Sequence, residues 1–444
     1  LKVLKQPRYY NLGCYEIWEE LTVKLPSWIN YAKIRASYGL VGNHPNIYQA
    51  NVGYNQESVS YNHSNVIFHL PNNSVFGNDD IVSEKKREAE LGIETRFWKN
   101  RMGLDLSYYN NKVINQIIIM TTPASSGTGS QLVNGGDLGN EGLEAAIHVE
   151  AIKTDQFRWT TNFNFAINRN KLIRLPNGLS YLELSNQDGG YLMIRAKEGE
   201  TLGNIYTHPR TTDAKGNYLI DTSGFYILNT KDYQYNGNIM PKIIGGFTNS
   251  FGYKNFSLDI TLDYRFGGKM ISIPTYYQIG AGMFENTLQY RDLAHGGIAY
   301  DALDEKTAYY QASPTGKYKD GIILNGVTEK GTPNQKVINA ALYYMNTYNW
   351  ESSGLYEYSV FDNSYIKLRE LTLSYTLPKS ILHQLHFQSL QIALTGRNLC
   401  YFLKTIPHGL DPEVGVGSSW LSQGIDGGTA PASRTFGFTI RGRF

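Results

Sequence analysis

Hydrophobic and polar positions alternate with a period of two along much of the chain. From Lys33 to Leu40 the even positions are Ile34, Ala36, Tyr38 and Leu40, and the odd ones are Lys33, Arg35, Ser37 and Gly39. From Arg87 to Phe97 the odd positions are Arg87, Ala89, Leu91, Ile93, Thr95 and Phe97, with Glu88, Glu90, Glu94 and Arg96 among those between. Successive strand side chains point to opposite faces, so each run predicts a strand with one apolar and one charged face. Runs at 102–108, 143–150, 157–168, 243–253, 256–266, 366–377, 390–397 and 436–444 read the same way. With a first strand near Tyr9–Trp18 the count is eleven. Within 366–377 the parity switches across Arg369-Glu370. That predicts a bulge, because one extra residue flips every side chain downstream.

A soluble antiparallel sheet also alternates, so the connections decide the class. Short turns at Trp98–Asn100, Lys153–Gln156 and Lys254–Asn255, and a longer one at Pro378–Ser389, alternate with long loops at about 43–84, 113–140, 169–242, 268–364 and 401–433. Short turns at one end and long loops at the other predict an all-β fold, a transmembrane antiparallel β-barrel. Closure would pair every backbone group in lipid, and the twelve residues of 157–168 are long enough to cross. Aromatic pairs at strand ends, such as Phe97-Trp98, Tyr264/Phe266 and Tyr401-Phe402, suit the headgroup level. Tracing up and down puts Phe444 on the short-turn, periplasmic side and the long loops outside the cell. Such a sheet closes only with an even number of strands, so eleven predicts further strands before Leu1. With no initiator Met and no leader, the chain reads as mature or truncated, and the strand count favours truncation.

Composition narrows the function. The 444 residues carry 41 Lys+Arg against 39 Asp+Glu, a net charge of +2, which gives no basic footprint for nucleic acid. Two cysteines, Cys14 and Cys400, make no disulfide framework and no CxxC metal pair. No run of apolar residues is long enough for a membrane helix. HExxH, GxSxG, Walker A and GxGxxG motifs are missing, so neither catalysis nor a cofactor is expected. Phe266-Gly267-Gly268-Lys269 reads as a strand end rather than a phosphate cradle. Asp213–Asn217 with Asp221 offers oxygens to Ca²⁺ but lacks EF-hand spacing; it reads first as a polar turn, and no metal site is assigned. The carboxylates Glu88, Glu90, Glu94, Glu144, Glu150, Asp259 and Asp263 are expected to pair with Arg96, Arg158, Arg265 and Arg397 in a wet lumen.

Loop 268–364 is too long for a passive connector and is rich in tyrosine. Flat rings with a polar handle suit sugar faces or a protein lid; equally, they pack a loop against itself. Tyr343, Tyr344, Trp350, Tyr276 and Tyr277 are the substrate- or lid-contact candidates, and Asn-rich 43–84 is a second candidate surface.

The stretch Tyr31-Ala32-Lys33-Ile34-Arg35-Ala36-Ser37-Tyr38-Gly39 with Val41-Gly42-Asn43 resembles a signature of the SusC/RagA-type TonB-dependent transporters. Weaker matches follow in order, among them Asn140-Glu141-Gly142-Leu143-Glu144, Ile366–Tyr375, Gly396-Arg397-Asn398-Leu399 and Gly409-Leu410-Asp411-Pro412-Glu413. The resemblance implies a 22-stranded barrel in the outer membrane of a Gram-negative bacterium, residues 1–444 being its C-terminal half and the plug lying outside them. It also implies import of a large nutrient, oligosaccharide first and oligopeptide second. A SusD-like surface lipoprotein would act as lid, and the TonB–ExbB–ExbD complex would drive transport through the absent N-terminal region. In that family a terminal aromatic belongs to the membrane-insertion signal, which Phe444 fits; it also fits as simply the last outward residue of its strand. The rival reading is a structural or adhesive outer-membrane barrel whose loops only bind partners.

Overall fold

The computed structural model describes residues 15–16, 26–45, 54–61, 64–71, 75–121, 130–176, 179–304, 307–350, 354–384, 386–415 and 424–444. The predicted first strand falls mostly outside them; Tyr15–Glu16 is described and pairs with Tyr38 and Ser37.

Eleven strands form one antiparallel sheet in chain order. They are β1 (Tyr15–Glu16), β2 (Ile29–Asn43), β3 (Glu84–Phe97), β4 (Met102–Ile114), β5 (Asp137–Lys153), β6 (Phe157–Arg174), β7 (Ile243–Tyr253), β8 (Phe256–Phe266), β9 (Tyr365–Thr376), β10 (Ser389–Lys404) and β11 (Thr435–Arg443). Each strand pairs with the next, as hairpin connections favour. The tight turns follow the sequence: Trp98, Lys99 and Asn100 all take positive φ, as does Lys254 in the two-residue turn between β7 and β8.

The parity switch in β9 is a bulge centred on Arg369. Opposite β8 the ladder steps from Thr261↔Glu370 to Leu262↔Leu368, and opposite β10 from Glu370↔Arg397 to Leu368↔Cys400. Arg369 is the residue passed over, and the register on both sides keeps the apolar residues on one face.

The apolar face has no second layer over it. Ile34, Tyr38, Leu91, Ile93, Leu373, Leu394, Phe438 and Ile440 are all exposed. Water does not tolerate so large an apolar surface on a folded protein, whereas lipid is its natural solvent. No described helix is long and apolar enough to cross a membrane; the crossing elements are strands. Aromatic pairs tie this face together, Trp159 stacking on Phe251 at 5.6 Å and Phe163 on Tyr264 at 5.8 Å.

Two glycines admit a tyrosine ring from the facing strand. The Tyr264 hydroxyl crosses Gly245, its ladder partner, and donates to the Asn164 carbonyl at 2.8 Å. Tyr109 likewise crosses Gly142 to reach Asn168 Oδ1 at 3.1 Å. A Cβ on Gly245 would sit 2.1 Å from the Asn164 carbonyl oxygen. Gly245→Ala is therefore expected to cost about 1–3 kcal/mol through overpacking. The full-length protein should lose its heat-resistant band on unboiled gels at a lower temperature; an unchanged melting profile would refute the close packing.

The hydrophobic cores lie beyond the membrane wall, in the long loops. Leu192, Ile194, Ile205, Ile239, Ile271, Tyr276, Tyr356 and Ile425 form the largest cluster, drawing on loops 169–242, 268–364 and 401–433. A small sheet stitches the last two together: Lys269–Ser272 lies between Val360–Asp362 and, in parallel, Ile425–Asp426. Helix α1 (Ile273–Gly280) starts on Ser272, whose hydroxyl caps the Thr275 N–H and donates to Asp426 Oδ2 at 2.6 Å. Helix α2 (Ala340–Thr347) is capped by Asn339. Such side-chain oxygens satisfy N–H groups that a helix start leaves open.

Candidate functional site

The polar face of the wall holds a recess of about 940 Å³, lined by residues of β2, β4 to β9 and the last loop. Its charges are mostly paired. Arg35 of β2 donates to both oxygens of Asp105 on β4, at 3.1 and 2.7 Å, and to the Ser107 hydroxyl at 3.0 Å. Arg96 pairs with Glu94, Arg158 with Glu150 and Arg397 with Glu370. The expected pairing of Asp263 with one of those arginines does not occur. The bulge turns Arg369 toward Asp263 instead, with Nε 2.5 Å from the carboxylate, and Arg265 one row away donates to the Ile239 carbonyl. Glu144 is exposed and has no hydrogen-bond partner among the described residues.

Arg369 also anchors the last loop. Its guanidinium grips both oxygens of Glu413, which takes further hydrogen bonds from the Lys367 ammonium and the Tyr365 hydroxyl. The neighbouring Asp411 accepts from the Tyr401 hydroxyl at 2.5 Å, and through its backbone-capping oxygens from Glu413 N and Ala432 N. Asn363 holds the Pro412 carbonyl at 3.0 Å. The Asp411-Pro412-Glu413 segment is thus fixed against the recess by charge-assisted bonds, the strong kind. Burial alone would raise the Glu413 pKa, but hydrogen bonds from Arg369 and Lys367 hold it below the usual carboxylate range. A depressed folded pKa means that this stabilisation is present above the unfolded value, about 4.3, and fades as pH falls through the folded one. Glu413→Gln should mimic the acid state at neutral pH. Arg369 is partly solvated, but the Lys367 ammonium is buried and loses its counter-charge, so the cost is about 1.5–3 kcal/mol. Hydrogen exchange in 405–415 should speed up in the variant; unchanged protection would refute the latch.

The sequence candidates in loop 268–364 occupy different environments. Tyr276 is fully buried, and its hydroxyl donates to the Thr347 and Asn349 carbonyls at 2.9 and 3.2 Å. Tyr277 is half-buried and donates to Asp188 at 2.5 Å. Tyr344 is buried, with its hydroxyl on the Asn286 carbonyl at 3.2 Å, and Tyr343 packs edge-on to Tyr290. Trp350 stands clear of this packing and is 57% exposed. Phe444 is exposed and stacks on Phe387 at 4.4 Å. The loop tyrosines form a continuous chain: Tyr191 on Tyr356, Tyr356 on Tyr276, Tyr276 on Tyr348, Tyr348 on Tyr344 and Tyr344 on Tyr343. Asp213 and Asp221, the oxygens considered for Ca²⁺, each accept backbone N–H groups of their own turns, from Lys215 and Asn217 and from Ser223 and Phe225.

Burial, together with the Asp188 bond, pushes the Tyr277 hydroxyl up to about 12. A raised folded pKa confers stability that is complete below the ordinary value near 10 and lost as pH climbs through the folded one. Alkaline titration followed at the phenolate absorbance should show one group of tyrosines ionising normally and a second ionising only above about pH 11, together with loop opening. A single normal transition would contradict the packed chain.

A family model described as "TonB dependent receptor-like, beta-barrel" matches residues 21–283. Among curated proteins, TonB-dependent receptor P3 of Formosa agariphila is 27% identical over 395 residues, covering 83% of this chain and 35% of its own length. TonB-dependent receptor SusC of Bacteroides thetaiotaomicron is 23% identical over 269 residues, covering 56% of this chain and 26% of its own. A solved structure of the RagAB peptide importer in its closed-closed state superposes with a TM-score of 0.65 over 96% of this chain and 42% of that one, at 18% identity, a likeness of fold. The chain therefore spans well under half the length of these relatives.

Proposed function

The chain belongs to the TonB-dependent receptor-like β-barrel family and is of the SusC/RagA type, and from that premise we propose that it forms the C-terminal half of an energised outer-membrane importer of a large nutrient. The carrying observation is the two-faced wall: an uncovered apolar side for lipid, and a charged side with a 940 Å³ recess under folded loops. Proteins of this family are outer-membrane receptors and transporters rather than enzymes. The long loops would face the exterior and Phe444 the periplasm. Oligosaccharide stays the first cargo class and oligopeptide the second, the latter favoured by the peptide importer among the structural relatives.

A SusD-like lipoprotein would close over the loops, and Trp350 is the candidate that stands ready for such contact. TonB–ExbB–ExbD would supply the energy through the N-terminal region and its plug. No cofactor is assigned, and Ca²⁺ stays a weak proposal because Asp213 and Asp221 are engaged by their own turns.

The test is purification of the full-length protein from native membranes, identification of the co-purifying lipoprotein and cargo by mass spectrometry, and uptake of that cargo in cells with and without TonB. Uptake that persists without TonB, or cargo binding with no uptake at all, would favour the adhesive alternative.

A further inference from the structure

Among the described residues, the recess contains one cation that the wall's ion pairs leave over. Arg265 is only 8% exposed, and its Nε–H has no partner among the described residues. Its Nη2 donates to the Ile239 carbonyl at 2.7 Å, and no carboxylate among the described residues lies within ion-pair distance of it. A buried guanidinium served by one carbonyl is strongly unfavourable, as is a buried ion pair that has lost one partner. Solvated Glu144, on the same cross-strand row through Ala166 and Ile244, makes no such demand.

The group is also held in place. Gly268, at φ +86°, brings its backbone against the guanidinium, and a Cβ there would stand 2.9 Å from Nη2 and 3.0 Å from the Ile239 and Met240 carbonyl oxygens. The Gly267-Gly268 pair thus passes the chain over Arg265 and fixes its fork. Asp263 and Glu413, which line the same recess, are both claimed by Arg369, and Asp105 by Arg35. A planar fork with free donors, buried and prepositioned, is matched by the geometry of an oxyanion.

We propose that Arg265 is an oxyanion-binding site for cargo in the lumen, receiving a carboxylate, sulfate or phosphate group of the transported molecule. The floor beside it, Ala166 and Ile244, is apolar and suits an uncharged portion of the same molecule. This rests on the importer reading, since an anion must reach the recess from solution. It goes further in requiring at least one acidic group on the cargo. A carboxylate of the protein's own N-terminal region would offer the same chemistry, and the experiment separates the two sources.

The full-length protein in detergent is titrated calorimetrically with sodium sulfate against a chloride background of equal ionic strength. Saturable binding is expected, weakened about ten- to hundredfold in Arg265→Met. Arg265→Lys should retain the charge and bind between the two. Replacing an uncompensated buried charge with an apolar side chain of similar length does not threaten folding, and an unchanged melting profile in Arg265→Met checks this. No sulfate binding to the wild type, as when an internal carboxylate already fills the site, overturns the proposal. So does equal binding by Arg265→Met. Sulfate binding that depends on Arg265 in a protein incapable of energised uptake would keep the site and discard the importer reading. Energised uptake with equal sulfate binding in both proteins would do the reverse.

Discussion

Tyr276→Ala is expected to loosen the whole outer body while leaving the strand wall intact. The ring is fully buried, lies between Tyr356 at 5.0 Å and Tyr348 at 5.3 Å, and belongs to the cluster that three loops share. Truncation removes about 3–5 kcal/mol of burial and packing, as for other large aromatics. It also takes the hydroxyl from the Asn349 carbonyl, which adds to the loss, while the Thr347 carbonyl keeps the Leu355 N–H at 2.8 Å. Limited proteolysis of the full-length protein should then cut readily within 268–364. The gel mobility that reports a folded barrel should persist, because the wall's ladder does not pass through Tyr276. Loss of that mobility together with loop cleavage would mean that wall and loops form a single cooperative unit. Cleavage no faster than in the wild type would mean that Tyr276 contributes little.

Leu394→Arg is the second large effect. Leu394 sits in the middle of β10, is 57% exposed, and lies between Leu373 of β9 and Phe438 of β11 on the apolar face. An arginine at the bilayer midplane of a barrel costs about 2–4 kcal/mol. Ala393→Arg, one residue away, points to the polar side and should cost under about 1 kcal/mol. Urea-driven unfolding in lipid vesicles measures both. The contrast between neighbours is the informative quantity, since a soluble sheet with both faces wet would treat the two alike. Equal effects would remove lipid from the account.

The wall was readable because its physics is periodic. A strand with lipid on one side and charge on the other writes its register into every second residue, so the ten strands from Ile29 onward and the Arg369 bulge followed from parity. Strand length was less legible. β5 and β6 run to 17 and 18 residues, well past the alternating runs at 143–150 and 157–168. Beyond Ile167 the strand leaves lipid, and Asn168, Arg169, Asn170 and Lys171 put polar groups on both faces.

The loops hid more, because their partners are distant in sequence. Nothing local joins Arg369 to Glu413 or Tyr276 to Tyr356. The sequence predicts that the lumen arginines neutralise the lumen acids; Arg96 and Arg158 do so with Glu94 and Glu150, while Arg397 takes Glu370, which is not among the expected acids. Arg265 does not, since the bulge lets Arg369 claim Asp263 first. That exception was invisible without the register.

The stitching of Ile425–Asp426 onto Ile271–Ser272 has a bearing on biogenesis. The outer body draws on a segment that lies between the last two strands, so its packing is complete only when β10 and β11 have brought Ile425–Asp426 into place. A nascent barrel stalled short of its last strand would display loops with open greasy seams, a ready substrate for surveillance proteases. Completion of the wall and consolidation of its crown are thereby synchronised, and the crown's protease resistance becomes a readout of finished assembly.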